Sequence, residues 1–269
     1  MPGPVSVFAH LGRHRRRKFE IMAQAACVTA AVLIIGDEIL SGRTKDQNIS
    51  YIADYLARIG IDLREARIVP DVTAEIVEAV NALRRRYDYL FTTGGIGPTH
   101  DDITADAVAQ ALGVEISEDP RVIALLLERM KPELLNEARR RMARIPQGAE
   151  LILNKISAAP GFFIANVVVL AGVPSVMQAM LDDVAPKLLK GTPMSVETVA
   201  AGSLPEGSYA AALGALASAD PELSIGSYPA YHDGRFHNEI VVRGKNKAKV
   251  VAAAQAIGEM VIELSKAQG

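Results

Sequence analysis

Between Gly94 and Asp102 the chain reads GGIGPTHDD, which puts three glycines, a histidine and two adjacent carboxylates in one short run. Glycine permits positive φ and a close approach of backbone to ligand, so Gly94, Gly95 and Gly97 are candidates to cradle an anion on their N–H groups. From Ile103 the apolar residues Ala107, Val108, Ala111 and Leu112 keep helical spacing. A glycine loop feeding a helix turns free N–H groups and the positive end of the helix dipole toward one place, which suits phosphate. Asp101 and Asp102 stand at the same rim. Carboxylates repel a phosphate unless a cation lies between them, so the pairing points to phosphate with Mg²⁺ or a similar hard cation. The spacing fits neither GxGxxG nor GxxxxGK[ST], which sets aside the dinucleotide fingerprint and the P-loop.

The same residues have a plain structural reading. Glycine turns between strand and helix occur without a ligand, and Asp102 can be a helix N-cap contributing about 1 kcal/mol. Thr99 and Thr104 are hydroxyl donors of the right kind, or caps. His100 is a phosphate donor or proton shuttle, or an exposed loop histidine.

The elements that must position these groups alternate along the first third of the chain. The run VTAAVLII at 28–35 is continuously apolar, as expected of a strand buried on both faces of a parallel sheet. Asp37 and Glu38 follow it, at the carboxyl end where open α/β sheets bind ligands. An amphipathic helix is expected over 47–59 with Gly60 closing it, then a strand over 61–69 and a helix over 73–86 capped by Asp71 or Thr73. A strand over 87–92 leads into the glycine loop. Asp46 and Asn48 precede or open a helix near that edge and are candidates to read a ribose or nucleoside.

Further on, 114–116 is a short edge strand, Asp119-Pro120 opens a helix to 130, and a second helix follows Pro132 to about 144. Arg139, Arg140, Arg141 and Arg144 make this excursion basic, either as a solvated face or as an anion-facing lid near the glycine loop. Strands are expected at 151–153, 162–164 and 167–170. Gly172-Val173-Pro174-Ser175 then starts a helix to about 189, a second strand-to-helix turn with N–H groups for a phosphate. After a linker at 191–193 the remainder reads β-α-β-β-α, a small α+β layer domain.

Composition narrows the function classes. Hydrophobic residues make up 49% of 269, enough for a large core, and a single cysteine, Cys27, excludes a disulfide framework and a multi-cysteine zinc site. Cys27 lies in an apolar run and is expected to be a small buried hydrophobe. No apolar run reaches the ~20 residues of a membrane span. Residues 1–26 are expected to be a basic, disordered extension, with Met22 a candidate start; a targeting segment or an arm for an acidic partner are the alternatives. Without the six charges at 13–20 the body keeps 24 basic and 30 acidic residues, net −6, which argues against nucleic acid as partner. A cytoplasmic location is expected.

Taken together, VLIIGDEILSGRTKDQN at 32–48, TTGGIGPTHDDITADAVA at 92–109, APGF at 159–162 and GVPSVM at 172–177 resemble the MoaB/MogA-type molybdopterin-binding fold, and more closely its CinA-like branch. GSYP at 226–229 is similar to that branch and to the hydrolase-like domain of eukaryotic FAD synthases. Val176 and Ala171 depart from the pattern, which has an acid and a proline there. The resemblance implies a three-layer α/β/α domain over 27–190 with a mostly parallel sheet, and the small α+β domain over 195–267. It implies a site that binds molybdopterin or hydrolyses the diphosphate of ADP-ribose, FAD or a similar nucleotide, with a divalent metal (Mg²⁺ or Co²⁺), in some relatives K⁺, and assembly as a homo-oligomer, dimer or trimer. The deamidase domain that CinA proteins carry is not expected here.

Three readings of the site follow. In the first, a metal-dependent nucleotide pyrophosphatase, Gly94, Gly95, Gly97 and Gly172 hold the diphosphate, and Asp37, Asp101 and Asp102 hold the metal. The second is molybdopterin binding or adenylyl transfer in molybdenum-cofactor synthesis. The third is a non-catalytic nucleotide- or pterin-binding module.

Overall fold

The computed structural model describes residues 27–232 and 235–268, so the basic extension expected over 1–26 lies outside the described residues. The chain divides into two compact units between Gly191 and Thr192.

The first unit is built on a six-stranded sheet. Its strands are β1 (Val28–Ile35), β2 (Ile61–Val69), β3 (Tyr89–Thr93), β6 (Glu150–Ile152), β7 (Gly161–Ile164) and β8 (Val167–Leu170), in the order β2-β1-β3-β8-β7-β6. The pairs β2-β1, β1-β3 and β3-β8 are parallel; β8-β7 and β7-β6 are antiparallel. The period of two along β1 explains the three layers. Ala31, Leu33 and Ile35 enter the core formed with α3 (Thr73–Arg86), α4 (Thr104–Leu112) and α5 (Pro120–Arg129). Ala30, Val32 and Ile34 enter the opposite core, with α2 (Asn48–Arg58) and α7 (Pro174–Val184). Leu33 is fully buried, and truncating such a side chain to alanine costs about 2–5 kcal/mol.

Several boundaries differ from expectation for local reasons. A four-residue helix, α1 (Asp37–Leu40), follows β1 directly. The helix expected to run to 144 is replaced by a 3-10 turn at Pro132–Leu134 and a short α6 (Glu137–Arg141), because Asn136 caps a fresh start by accepting the Arg139 N–H. Beyond it, β5 (Arg144–Pro146) pairs antiparallel with β4 (Ile116–Glu118) in a ribbon outside the main sheet. Helix α7 passes into a 3-10 turn at Ala185–Lys187, where Pro186 lacks the N–H to continue it. Cys27 is exposed, its Sγ 3.4 Å from Asp62 Oδ2, so the buried role expected of it does not hold.

Strand β2 is one edge of the sheet. Its Glu65 accepts from Arg67 at 2.7 Å, from Arg86 at 3.2 Å and from the Tyr87 hydroxyl at 2.8 Å. The β7-β8 hairpin turns through Ala165 at φ 54, and Asn166 donates to the carbonyls of Arg84 and Tyr87, tying that turn to the end of α3.

The second unit is a three-stranded antiparallel sheet, β10 (Leu223–Tyr228), β13 (Asn238–Gly244) and β9 (Ser195–Gly202), in that order. It packs with α8 (Glu206–Ala219) and α9 (Lys247–Gln268) around Tyr209, Ile240, Val242, Val250 and Ile257. The strand expected over 235–243 is divided: β12 (Arg235–Phe236) pairs with β11 (Tyr231–His232), and β13 starts afresh at Asn238.

Candidate functional site

The carboxyl ends of β1, β3 and β8 meet at two glycines. Gly94 has φ 101, and a Cβ there would sit 2.1 Å from the Ile35 carbonyl oxygen. A Cβ on Gly172 would sit 3.3 Å from Gly94 Cα. These residues are glycine because backbone passes against backbone, a requirement that exists before any ligand is considered. Gly95, at φ 65, is held over Thr104: the Thr104 hydroxyl donates to the Gly94 carbonyl at 2.9 Å and the Thr104 N–H to the Gly95 carbonyl at 3.0 Å. Thr104 is fully buried, so its expected role as a donor to ligand is replaced by that of a staple under the loop.

Among the described residues, no hydrogen bond takes the N–H of Gly95, Ile96 or Gly97. Three successive backbone donors without a protein partner are what an anion-binding turn requires.

Beside Gly94 lies a cleft of about 310 Å³ whose walls include Ile34, Ile39, Lys45, Asp46, Asn48 and Gly172. Asn48 does not reach into it as a free reader. It is 4% exposed, and its Nδ2 donates to the Gly172 carbonyl at 2.9 Å and to Thr93 Oγ1 at 3.4 Å, while its Oδ1 is buried without a partner. Asp46 accepts the Ile49 N–H at 2.8 Å and fixes the start of α2. Lys45, absent from the residues singled out by sequence, adds a cation to this cleft. Its only signal was its place in the loop between strand and helix.

The acidic rim is built differently. Asp102 accepts the Thr99 N–H at 2.7 Å and the Thr99 hydroxyl, so its carboxylate clasps the loop. A Cβ on Gly97 would sit 2.7 Å from Asp102 Oδ2. Thr99, expected to face a ligand, is thus committed to Asp102. Asp101 is exposed, and His100 is almost wholly so, its Nδ1 3.9 Å from Asp101 Oδ1. The Thr99 hydroxyl close by, its own backbone N–H and the nearby charges of His100 and Arg141 lower the Asp101 carboxyl from its ordinary value. Asp101 therefore stays ionised.

Asp71 belongs to this rim, although the sequence suggested a helix cap. Helix α3 has Val72 at its N-cap position with no side-chain bond, and Asp71 Oδ2 instead accepts the Asp37 N–H at 2.9 Å. Burial raises the Asp71 carboxyl, and the charges of Asp37, Glu38 and Asp101 push it the same way against the lowering from the Asp37 N–H. Four acids thus share one field at the ends of β1, β2 and the glycine loop. Their oxygens are the hard donors that Mg²⁺ or Co²⁺ accepts, but no group of three or more His, Cys, Asp or Glu among the described residues forms a ready-made metal cage. Such a donor set fits an ion held by one or two carboxylates with phosphate oxygens and water completing the shell.

The chain is similar to known proteins along nearly its whole described length. Residues 31–190 match the family described as a probable molybdopterin binding domain, and residues 193–266 match the middle domain of FAD synthase. A protein of Archaeoglobus fulgidus is 31% identical over 232 residues, covering 86% of this chain and 96% of the relative. A protein of Pyrococcus horikoshii is 39% identical over 182 residues, covering 60% and 69%. The structure of the protein CinA of Thermoplasma acidophilum, whose function is given as unknown, is 31% identical with a TM-score of 0.57, covering 60% of this chain and 98% of that one. Among the described residues no helix is long and apolar enough to cross a membrane.

Proposed function

The chain belongs to the molybdopterin-binding domain family, in its CinA-like branch, and from that premise we propose that it is a metal-dependent nucleotide pyrophosphatase acting on a dinucleotide such as ADP-ribose or FAD. One observation carries the reading. At Gly94 the 310 Å³ cleft meets a loop with three partnerless N–H groups, and Glu38, in the cleft wall, belongs to the four-acid field beside it.

In this reading a flat heterocycle lies against Ile34, Ile39 and Pro174, with Lys45 and Asp46 at its ribose side. The N–H groups of 95–97 receive the diphosphate, and the glycine contacts that fix the loop hold them in place before substrate arrives, which saves reorganisation in the transition state. Asp37 and Asp101 are the carboxylates that would hold Mg²⁺ or Co²⁺. A bound ion of this kind supplies neutralisation of charge on the phosphoryl oxygens. Asp71, with its carboxyl raised, is suited to accept a proton from the attacking water, since a general base works best with a pKa closer to the working pH. The middle-domain match to FAD synthase supports nucleotide handling by the same chain. We propose a homo-oligomer as its working form.

The test is AMP release from ADP-ribose and from FAD with Mg²⁺ or Co²⁺. Release by the full chain, lost in Asp101→Ala and in Asp71→Asn, is the expected result; no release from either substrate sinks the reading. The apolar walls of the cleft suit a pterin as well as an adenine. Tight pterin binding without AMP release would select carriage of molybdopterin instead.

A further inference from the structure

Of the four arginines at 139–144, three are taken up within the protein. Arg139 donates to the Leu134 carbonyl at 2.6 Å, Arg140 pairs with Glu118 at 2.7 Å, and Arg144 pairs with Asp106. Arg141 differs. Among the described residues no carboxylate lies within salt-bridge range of it, its Nη2 makes one bond, 3.3 Å to the Asp102 carbonyl, and its Nε is buried with no partner. A buried guanidinium N–H without an acceptor has given up its water for nothing, and such a group needs an explanation.

Its surroundings offer one. Arg141 lines a depression of about 10 Å³ together with Gly95, Ile96, Gly97 and Asp102. The other charges on its wall, Asp106 and Arg144, neutralise one another. That volume has room for about one water-sized group. Among the described residues the N–H groups of Gly95, Ile96 and Gly97 have no acceptor, and neither has Arg141 Nε, so four unpartnered donors gather around this depression, while its carboxylates are taken up elsewhere, Asp102 by Thr99 and Asp106 by Arg144.

We propose that Arg141 is a diphosphate-binding residue, its guanidinium and the 95–97 N–H groups together receiving the non-bridging oxygens of one phosphoryl group. This rests on the diphosphate reading above. It also answers a difficulty in that reading: the Asp101 and Asp102 carboxylates would repel an incoming diphosphate, and Arg141, whose positive charge already acts on Asp101, offsets them.

The experiment is titration calorimetry of the full chain with ADP and with adenosine, in EDTA. The expected result is that Arg141→Gln weakens ADP binding at least tenfold and leaves adenosine affinity unchanged, while Arg141→Lys, which keeps the charge but lacks Nε, restores it only in part. Equal ADP affinity in wild type and Arg141→Gln overturns the proposal and leaves the diphosphate reading standing; a parallel loss of ADP and adenosine affinity also overturns it. Failure of the wild type to bind ADP in EDTA overturns the proposal, and the diphosphate reading is then decided by AMP release with Mg²⁺ or Co²⁺ present. If Arg141→Gln does not melt cooperatively, Arg141→Lys decides alone, and wild-type ADP affinity in that variant overturns the proposal.

Discussion

The cleft and the acidic rim lie side by side and are held by opposite means. At the cleft, Gly94, Gly172 and Asn48 are locked by buried contacts between segments far apart in sequence; the Asn48 bond to Gly172 spans 124 residues. At the rim, Asp101 and His100 are exposed, and the clasp of Asp102 on Thr99 spans three residues. Binding geometry is thus built on the packed frame, and the acids of the glycine loop sit on a locally stitched lip, to which Asp71 is tied from a distance through the Asp37 N–H. Substitutions should divide along that line, with stability responding at the cleft and reactivity at the rim.

The sharpest test is Gly94→Ala. With the new Cβ 2.1 Å from the Ile35 carbonyl and φ at 101, backbone must move, and a loss on the order of 3 kcal/mol or more is expected in denaturant unfolding. An unchanged midpoint would mean that the frame is not rigid there. Next comes Asn48→Leu. It leaves the Gly172 carbonyl without its donor, for a cost of about 1–3 kcal/mol, and adenosine affinity should fall with it. Asp102→Ala removes only the local clasp, about 1 kcal/mol by equilibrium unfolding, so a larger loss than Asn48→Leu would reverse the comparison. Asp101→Ala should change stability by less than about 0.5 kcal/mol, as exposed positions do, while abolishing AMP release.

The smallest effect concerns pH. The Asp71 carboxyl is raised in the folded protein, so the folded state holds the proton more tightly than the unfolded chain. Its contribution to stability is present below the unfolded carboxyl value and is lost as pH rises through the folded one. Asp71→Asn keeps an acceptor for the Asp37 N–H and removes this loss. The variant should therefore melt slightly higher than wild type at pH 7, and the gain should vanish at acid pH; thermal melts across pH 3–8, about the span of the carboxyl titration, would read it.

How much of this was visible in the sequence depends on how local the cause is. The apolar run of β1 and the helical spacing of α2 and α3 fix the three layers, because burial on two faces leaves its mark in the residues themselves. The glycines and acids at 94–102 announced an anion and cation site by type. What was not legible is which polar groups the fold consumes. Thr104, Asn48 and Thr99 look like ligand donors until the fold supplies them with protein acceptors, across 124 residues for Asn48 and within the loop and its helix for Thr99 and Thr104. Asp71 looks like a helix cap until the Asp37 N–H is brought to it. The arginines at 139–144 look alike in sequence, and only the positions of Glu118, Asp106 and Leu134 distinguish Arg141 from the rest.

The outer border of β2 has a consequence for how these molecules meet one another. A nine-residue strand that, among the described residues, pairs on one flank only is a template on which a neighbouring chain could add another strand, the first step toward fibrous association. Here Glu65 is ringed by Arg67, Arg86 and Tyr87, and Arg64 holds Asp62, so a visiting strand would have to lie along a border crowded with hydrated ions. Growth of the sheet from molecule to molecule is discouraged on that side.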